Sequence, residues 1–370
     1  MELPLAPRPF PDEALSSWIA RIAARYDLSG NQLISFLKAD LGEGDLRLGS
    51  AGYRNSLTDQ EIIILARATR MLPTKVRALQ FSNYYPRIPR SWLVERQAID
   101  RFEGRSIATG KVIWEYCSSC LEEDAMEGRD AYIRQHWALG CFGFCHRHKK
   151  AIKRGCPSCG DTVSLSFTNI QGAWELVCQK CSFVQRAALA SKGPSTGRDD
   201  WARGKYIKRA NYLVIDFERC LFRALMGKTP SPRWMGNASA TEFIRATESL
   251  IELLISDLAP HRRLLNAVNF EAFPAPRPKD IEGGVQVGLA YFKPMVRRFT
   301  IAAIVAMLCK RHENGFLRHS IYSSFVNEPD GLEQAWAQLG ALRNLDEFVA
   351  GWPRSMRERY KTFVDGRDFS

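Results

Sequence analysis

The sequence predicts a mainly α protein in three parts: a helix-turn-helix-like bundle over residues 1–110, a cysteine-rich module over 111–190 and a helical domain over 205–370. Three observations predict it. Apolar residues recur at helical spacing towards both ends of the chain, cysteines crowd between positions 117 and 181, and "ASKGPSTGRDDWARG" at 190–204 has the composition of a linker. At 370 residues the chain is also too long for one compact core.

The first part reads as two helical hairpins. Leu15, Trp18, Ile19, Ile22 and Ala23 fall on one helical face, Asp27-Leu28-Ser29 interrupts, and Leu33, Ile34, Phe36 and Leu37 resume the pattern. Thr58 then caps a helix carrying Ile62, Leu65, Ala66 and Thr69, Leu72-Pro73 breaks it, and Val76, Leu79 and Phe81 start another. Each copy is a helix, a tight turn and a short helix, the outline of a helix-turn-helix and of any two-helix hairpin. In the middle part strand-like pieces, Val163 to Phe167 and Trp174 to Val177, replace helical periodicity. Beyond the linker, Ile207, Ala210, Val214, Phe217 and Leu221 form an apolar face closed by Gly227 and stopped by Pro230 and Pro232. Ser239 and Glu242 form a capping box, 271–288 reads as a loop, and helices are expected near 294–311, 332–343 and 354–364.

Eight residues of the middle part form four pairs with two positions between partners: Cys117 and Cys120, Cys145 and His148, Cys156 and Cys159, Cys178 and Cys181. Such spacing lets a tight turn aim two side chains at one ion about 2.3 Å away, and two turns complete a tetrahedron. The module therefore reads as a tandem zinc finger and zinc ribbon with two structural zinc ions. Sequential ligation puts Cys117, Cys120, Cys145 and His148 on one ion and the other four cysteines on the second; interleaved ligation stays open. A redox Cys-x-x-Cys needs a neighbouring βαβ pattern, which the sequence lacks. Cys141 and His146 are spare candidates, read as a buried small hydrophobe and a solvated basic residue; Cys220 and Cys309 lie in apolar helices and read as core.

Enzymatic motifs fall short. Each ligand set is complete, whereas catalytic zinc keeps an open position. His312-Glu313 lacks the second histidine of a metalloprotease helix, and no His-x-Glu precedes the cysteine pairs as in a deaminase. "RALMGKT" at 223–229 ends like a phosphate loop, but Phe222 stands where its first glycine is required.

Lys plus Arg exceed Asp plus Glu by 12, which favours polyanionic partners. The cations concentrate at Arg147, Lys149, Lys150, Lys153 and Arg154, against the metal ligands, and at Arg203, Lys205, Lys208 and Arg209 after the linker. Both runs are candidate DNA phosphate contacts. The proline-rich, acidic N-terminus is unlike a signal peptide, and the most apolar stretch, Thr300 to Cys309, is far shorter than the ~20 residues a bilayer needs. A cytoplasmic protein with reduced thiols and no membrane partner is expected.

"LPLAPRPFPDEALSSWIARIAARYDLS" followed by "YCSSCLEEDA", "YIRQHWALGCFGFCHRH" and "CPSCG" resembles the TniQ family, with a looser likeness at "WPRSMRERY" from Trp352. Ser118 replaces the proline usual between the first two cysteines, which leaves ligation untouched. The resemblance implies a non-enzymatic target selector of DNA transposition. It would link DNA, or a CRISPR guide-RNA effector on DNA, to an AAA+ ATPase regulator and the transposase; a homodimer stays open. Arg21 and Arg25, expected to be exposed beside the buried Trp18 and Ile22, are the candidate partner-binding residues. The alternatives are a zinc-dependent nuclease or transposase and a stand-alone zinc-finger or helix-turn-helix regulator.

Overall fold

A computed structural model describes residues 2–39, 57–86, 99–100, 107–108, 114–162, 164–186, 205–229, 231–235 and 238–255, with single positions between 297 and 361. Two compact units emerge, one over Met1–Pro86 and Leu93–Lys192, the other over Arg87–Trp92 and Gly193–Ser370.

In the first unit, α1 (Leu15–Ala24) buries Leu15, Trp18, Ile19, Ile22 and Ala23 completely. Burial of each large side chain contributes about 1.5–3 kcal/mol. Asp27, with φ of 54°, turns the chain into α2 (Gly30–Ala39), whose Leu33, Ile34 and Leu37 enter the same core. Phe36 does not: it is half exposed, because the stripe formed by its neighbours is narrower than the periodicity implied. Thr58 and Glu61 close a reciprocal capping box at the start of α3 (Asp59–Ala68), and Lys38 of α2 pairs with Glu61 at 2.6 Å. Burial raises the Glu61 carboxyl, but hydrogen bonds from Lys38 and Thr58 outweigh it and hold the group below its ordinary value. Arg70, with φ of 53°, ends the turn, and Pro73 opens α4 (Pro73–Ala78), followed by α5 (Phe81–Tyr84). The N-terminal segment straps this bundle: Leu3 N donates to Ala68 O, and the Trp18 indole donates to Pro7 O at 2.7 Å.

After a short ladder of β1 (Ile99–Asp100) and β2 (Ile107–Ala108), the cysteine-rich part begins. β3 (Glu115–Tyr116) leads into α6 (Ser118–Met126), a 3-10 turn covers Gln135–Ala138, and β4 (Lys153–Arg154) returns antiparallel to β3. β5 (Leu165–Ile170) and β6 (Ala173–Cys178) form a hairpin in register from Ile170↔Ala173 to Leu165↔Cys178. Its loop is Gln171-Gly172, both at positive φ, the two-residue turn whose twist matches paired strands. At the turn both strands run further than expected, to Ile170 and from Ala173, because the turn, not the apolar run, sets where they meet; Val163 lies outside the described residues.

The bundle and the cysteine-rich part are bonded to one another through α1. Ala14 N donates to Ile133 O, Ile133 N to Ser17 Oγ, and Gln135 N to Asp12 O, each at 2.9 Å. Arg21 reaches Glu13 at 2.7 Å and Asp130 at 3.0 Å, and Arg25 reaches Asp130 at 2.5 Å while its guanidinium covers Trp174. The expectation that Arg21 and Arg25 are exposed is therefore corrected. Arg21 is 2 % exposed, and the ion pairs to which both contribute face the second half of the unit, not solvent.

In the second unit α7 (Lys205–Leu225) is closed by Gly227 at φ of 73°, followed by α8 (Pro232–Met235) and α9 (Ala240–Ile255). Phe217 of α7 meets Trp234 and Phe243 edge-on, and the Trp234 indole donates to Asp216 at 2.9 Å. Ser239 and Glu242 form the expected capping box on α9. The regions 271–288 and 332–343 lie outside the described residues, as does Cys309. Buried Ile301, Ile304, Val305 and Leu308 keep helical spacing within 294–311. No helix among the described residues is long and apolar enough to cross a membrane.

The joint has a titratable centre. Burial raises the Asp130 carboxyl, but Arg21 and Arg25 outweigh it and hold it below its ordinary value. Its stabilisation is complete above the unfolded carboxylate value of about 3.9 and fades as pH falls through the lower folded value. Thermal melts across acid pH should show this loss, and Asp130→Asn should lower Tm at neutral pH by a few degrees while flattening the acid limb. An acid limb unchanged by Asp130→Asn would remove Asp130 from the joint's energetics.

Candidate metal centres

Four donors converge at the first centre. Cys117 precedes α6, and Cys120 lies in its first turn with its N–H on Cys117 O. Cys145 and His148 sit on a tight knuckle. The separations are 3.6 Å for Cys117 Sγ to His148 Nδ1, 3.2 Å for Cys120 Sγ to Nδ1, 3.7 Å for Cys145 Sγ to Nδ1, and 3.6 Å between Cys120 and Cys145 sulfurs. A tetrahedral ion with sulfur about 2.3 Å away sets sulfur edges near roughly 3.8 Å, so this spacing fits a metal. A disulfide, with sulfurs at about 2.05 Å, does not fit, and these thiols are free. The grouping in space is sequential: all donor atoms of Cys117, Cys120, Cys145 and His148 lie within 4.8 Å of each other, and so do those of Cys156, Cys159, Cys178 and Cys181.

At the second centre Cys156 and Cys181 sulfurs are 3.5 Å apart and Cys159 and Cys178 sulfurs 3.6 Å. Three of the four pairs share one backbone design. Residue i+4 donates to the carbonyl of the first cysteine (Lys149 to Cys145, Gly160 to Cys156, Ser182 to Cys178) at 2.7, 2.9 and 2.8 Å. The first cysteine's N–H in turn donates to the carbonyl of residue i+5: Lys150, Asp161 and Phe183. Lys149, Gly160 and Ser182 all have positive φ, the conformation that closes so tight a turn. The knuckle amides also bond sulfur: His148 to Cys145, Ser158 and Cys159 to Cys156, and Phe183 to Cys181. Each such bond favours the thiolate that binds metal. Hydrogen bonds from Cys117 and Cys120 hold the Cys145 thiol far below the ordinary thiol range.

The two centres differ in exposure. Cys117, Cys120 and Cys145 are buried, as are Cys156 and Cys178, whereas Cys159 and Cys181 reach solvent. At the first centre Glu123 accepts from His148 Nε2 at 2.8 Å, which leaves Nδ1 as the ligating nitrogen, and Arg147 lies 3.0 Å from the other Glu123 oxygen. The sequence reading missed Glu123, although "CLEED" places it one helical turn beyond Cys120.

The remaining candidates scatter. Lys149 and Lys150 are exposed, with Lys150 on Ser119 Oγ at 2.8 Å, and Arg147 is exposed beside Glu123. Arg154 is not available to phosphate: its side chain is 9 % exposed and reaches buried Glu115 at 2.6 Å, a correction to its place in the basic run. His146 is not solvated; its ring stacks on His136 and meets Phe142 edge-on. Cys141 is buried, as is Cys220, whose thiol burial pushes up to about 11. Arg203 lies outside the described residues; Lys205, Lys208 and Arg209 open α7, with their side chains outside the description.

The donor sets, three sulfurs with one nitrogen and four sulfurs, suit zinc. Chain purified without chelator should carry two zinc ions by elemental analysis, and Cys156→Ser should carry one. Glu123→Gln should weaken the first site roughly 10–100-fold in a competitive chelator titration. An unchanged affinity would reduce Glu123 to a surface acid.

The TniQ family model matches residues 4–152, which cover α1 through the first centre and stop before Cys156. A search of the curated proteins finds no match.

Proposed function

From the match of the TniQ family model, a transposition-associated family, to residues 4–152, we propose that this chain is a non-enzymatic selector of transposition targets. It would connect target DNA to an AAA+ ATPase regulator and the transposase. The observation that carries the reading is the family region itself, whose cysteines enter a four-donor set. Four protein donors fill a tetrahedral ion and leave no position for substrate or water, which supports a structural role for the metal. Phe222 lies inside α7, where Met226 N bonds its carbonyl, so the Gly-Lys-Thr that follows continues a helix end and not an amide cradle.

The DNA-facing surface in this reading is the first knuckle. Arg147, Lys149 and Lys150 stand out from a turn whose backbone a bound metal would pin, with Lys153 on β4 beside it. A rigid cation cluster contacts phosphates without the ordering cost that a mobile loop would carry. Arg154 drops out of the set, and the partner-binding surface no longer includes Arg21 or Arg25. An arrangement in which a guide-RNA effector supplies the target rests on the family alone.

The test is salt dependence. Replacing Arg147, Lys149, Lys150 and Lys153 with Ala should flatten the log–log slope of duplex binding by about 0.9 for each phosphate that is no longer neutralised. Metal content should stay at the wild-type level. An unchanged slope would contradict the phosphate assignment, and DNA cleavage by the isolated wild-type chain would contradict the non-enzymatic reading.

A further inference from the structure

The two metal centres are wired together by residues that ligate neither. Tyr116 immediately precedes Cys117, and its fully buried hydroxyl lies 2.9 Å from Gly155 O and 2.6 Å from Gln185 Oε1. Gly155 immediately precedes Cys156 of the other centre, and Gln185 follows Cys181 by four residues while donating to Phe183 O of the same knuckle. One position earlier, buried Glu115 pairs with Arg154, and β3 and β4 are in register at Glu115↔Arg154 and Tyr116↔Lys153. Gly155 admits no side chain: its φ is 75°, and a Cβ would sit 2.5 Å from Asp161 O, the oxygen that Cys156 N needs. Cys117, Cys120, Cys145, Cys156 and Cys178 moreover share one apolar cluster with Tyr116.

We propose that Tyr116 couples the two centres, so that a metal bound at one site arranges the ligands of the other and the ions load as a pair. The inference rests on the reading that both donor sets hold metal. The physical ground is that Cys117 and Cys156 cannot be positioned independently. A metal at the first centre fixes Cys117 and therefore the Tyr116 backbone. The Tyr116 hydroxyl then fixes Gly155 O, and the covalent chain carries that position into Cys156 N. The single hydroxyl proton is shared between Gly155 O and Gln185 Oε1, and Gln185, donating through Nε2, steadies the Phe183 carbonyl that accepts from Cys178 N. Each site thus lowers the ordering cost of its neighbour, and the coupling is reciprocal. Tyr116 and Gln185 act as positioning residues. A bare folding role predicts a general loss of stability on substitution; a coupling role predicts a specific change in the order of metal uptake.

Cobalt separates these outcomes, because a site of three thiolates and one imidazole and a site of four thiolates absorb at different visible wavelengths. Full-length chain stripped of metal under reducing conditions is titrated with Co2+, and both bands are followed. In wild type the two bands should rise together to two ions per chain. In Tyr116→Phe, which removes both bonds of the hydroxyl, and in Gln185→Leu, which removes the one to the Cys178–Cys181 knuckle, the bands should separate. The weaker site should then fill with an apparent affinity about five- to tenfold lower, the scale of one buried hydrogen bond. Two ions that fill in well-separated steps in wild type, with the separation unchanged in both variants, would overturn the coupling and leave the metal reading intact. Saturation below two ions in wild type would overturn the metal reading and the coupling with it. Thermal melts of the metal-loaded variants show whether a folded chain was titrated. If one variant fails to fold, the other decides.

Discussion

The buried guanidinium of Arg21 is the constraint on which the first unit depends. It lies at the meeting of α1 with the cysteine-rich part, between Glu13 and Asp130, and is almost wholly withdrawn from water. A charge in that position is tolerable only while both carboxylates stay in place, since removing one partner of a buried pair costs about 3–5 kcal/mol. Asp130 in turn orders what surrounds it: Trp174 N donates to it, Ala131 N donates to Trp174 O, and Arg25 stacks on the same indole.

A helix with two buried faces follows from that arrangement. Leu15, Trp18, Ile19 and Ile22 face the bundle, while Ser17, Ala20, Arg21 and Ala24 meet the cysteine-rich part. Small residues on the second face let the hairpin approach closely, and the polar atoms there are bonded across the joint. Metal held by the two donor sets would lock the far side of the module. Structural metal in modules of this size is much of the folding free energy. On that reading the helices and the donor sets form one cooperative object.

What the sequence made legible was whatever is encoded locally. Thr58 with Glu61 and Ser239 with Glu242 are three residues apart, and the capping boxes appear where that spacing places them. The four ligand pairs are equally local, because two intervening residues suffice to define a knuckle. Arg21 escapes such a reading because its partner Asp130 is 109 residues away, and helical periodicity assigns to solvent any face that is not apolar. Arg154 escapes it for the same reason: a basic run looks solvated until a buried Glu115, distant in sequence, claims one member. Which cysteines share an ion is equally hidden, since sequential and interleaved pairings have identical spacing and differ in how β3, β4 and the hairpin cross.

The central claim is that the helical bundle and the metal centres of the first unit stand or fall together through α1. Native-state hydrogen exchange of the full chain, with and without a zinc chelator, tests it most directly. The account predicts that amides of α1 lose protection in step with those of β5 and β6 when metal is withdrawn, while α7 and α9, in the other unit, keep theirs. Protection of α1 that persists unchanged while the hairpin opens would contradict it.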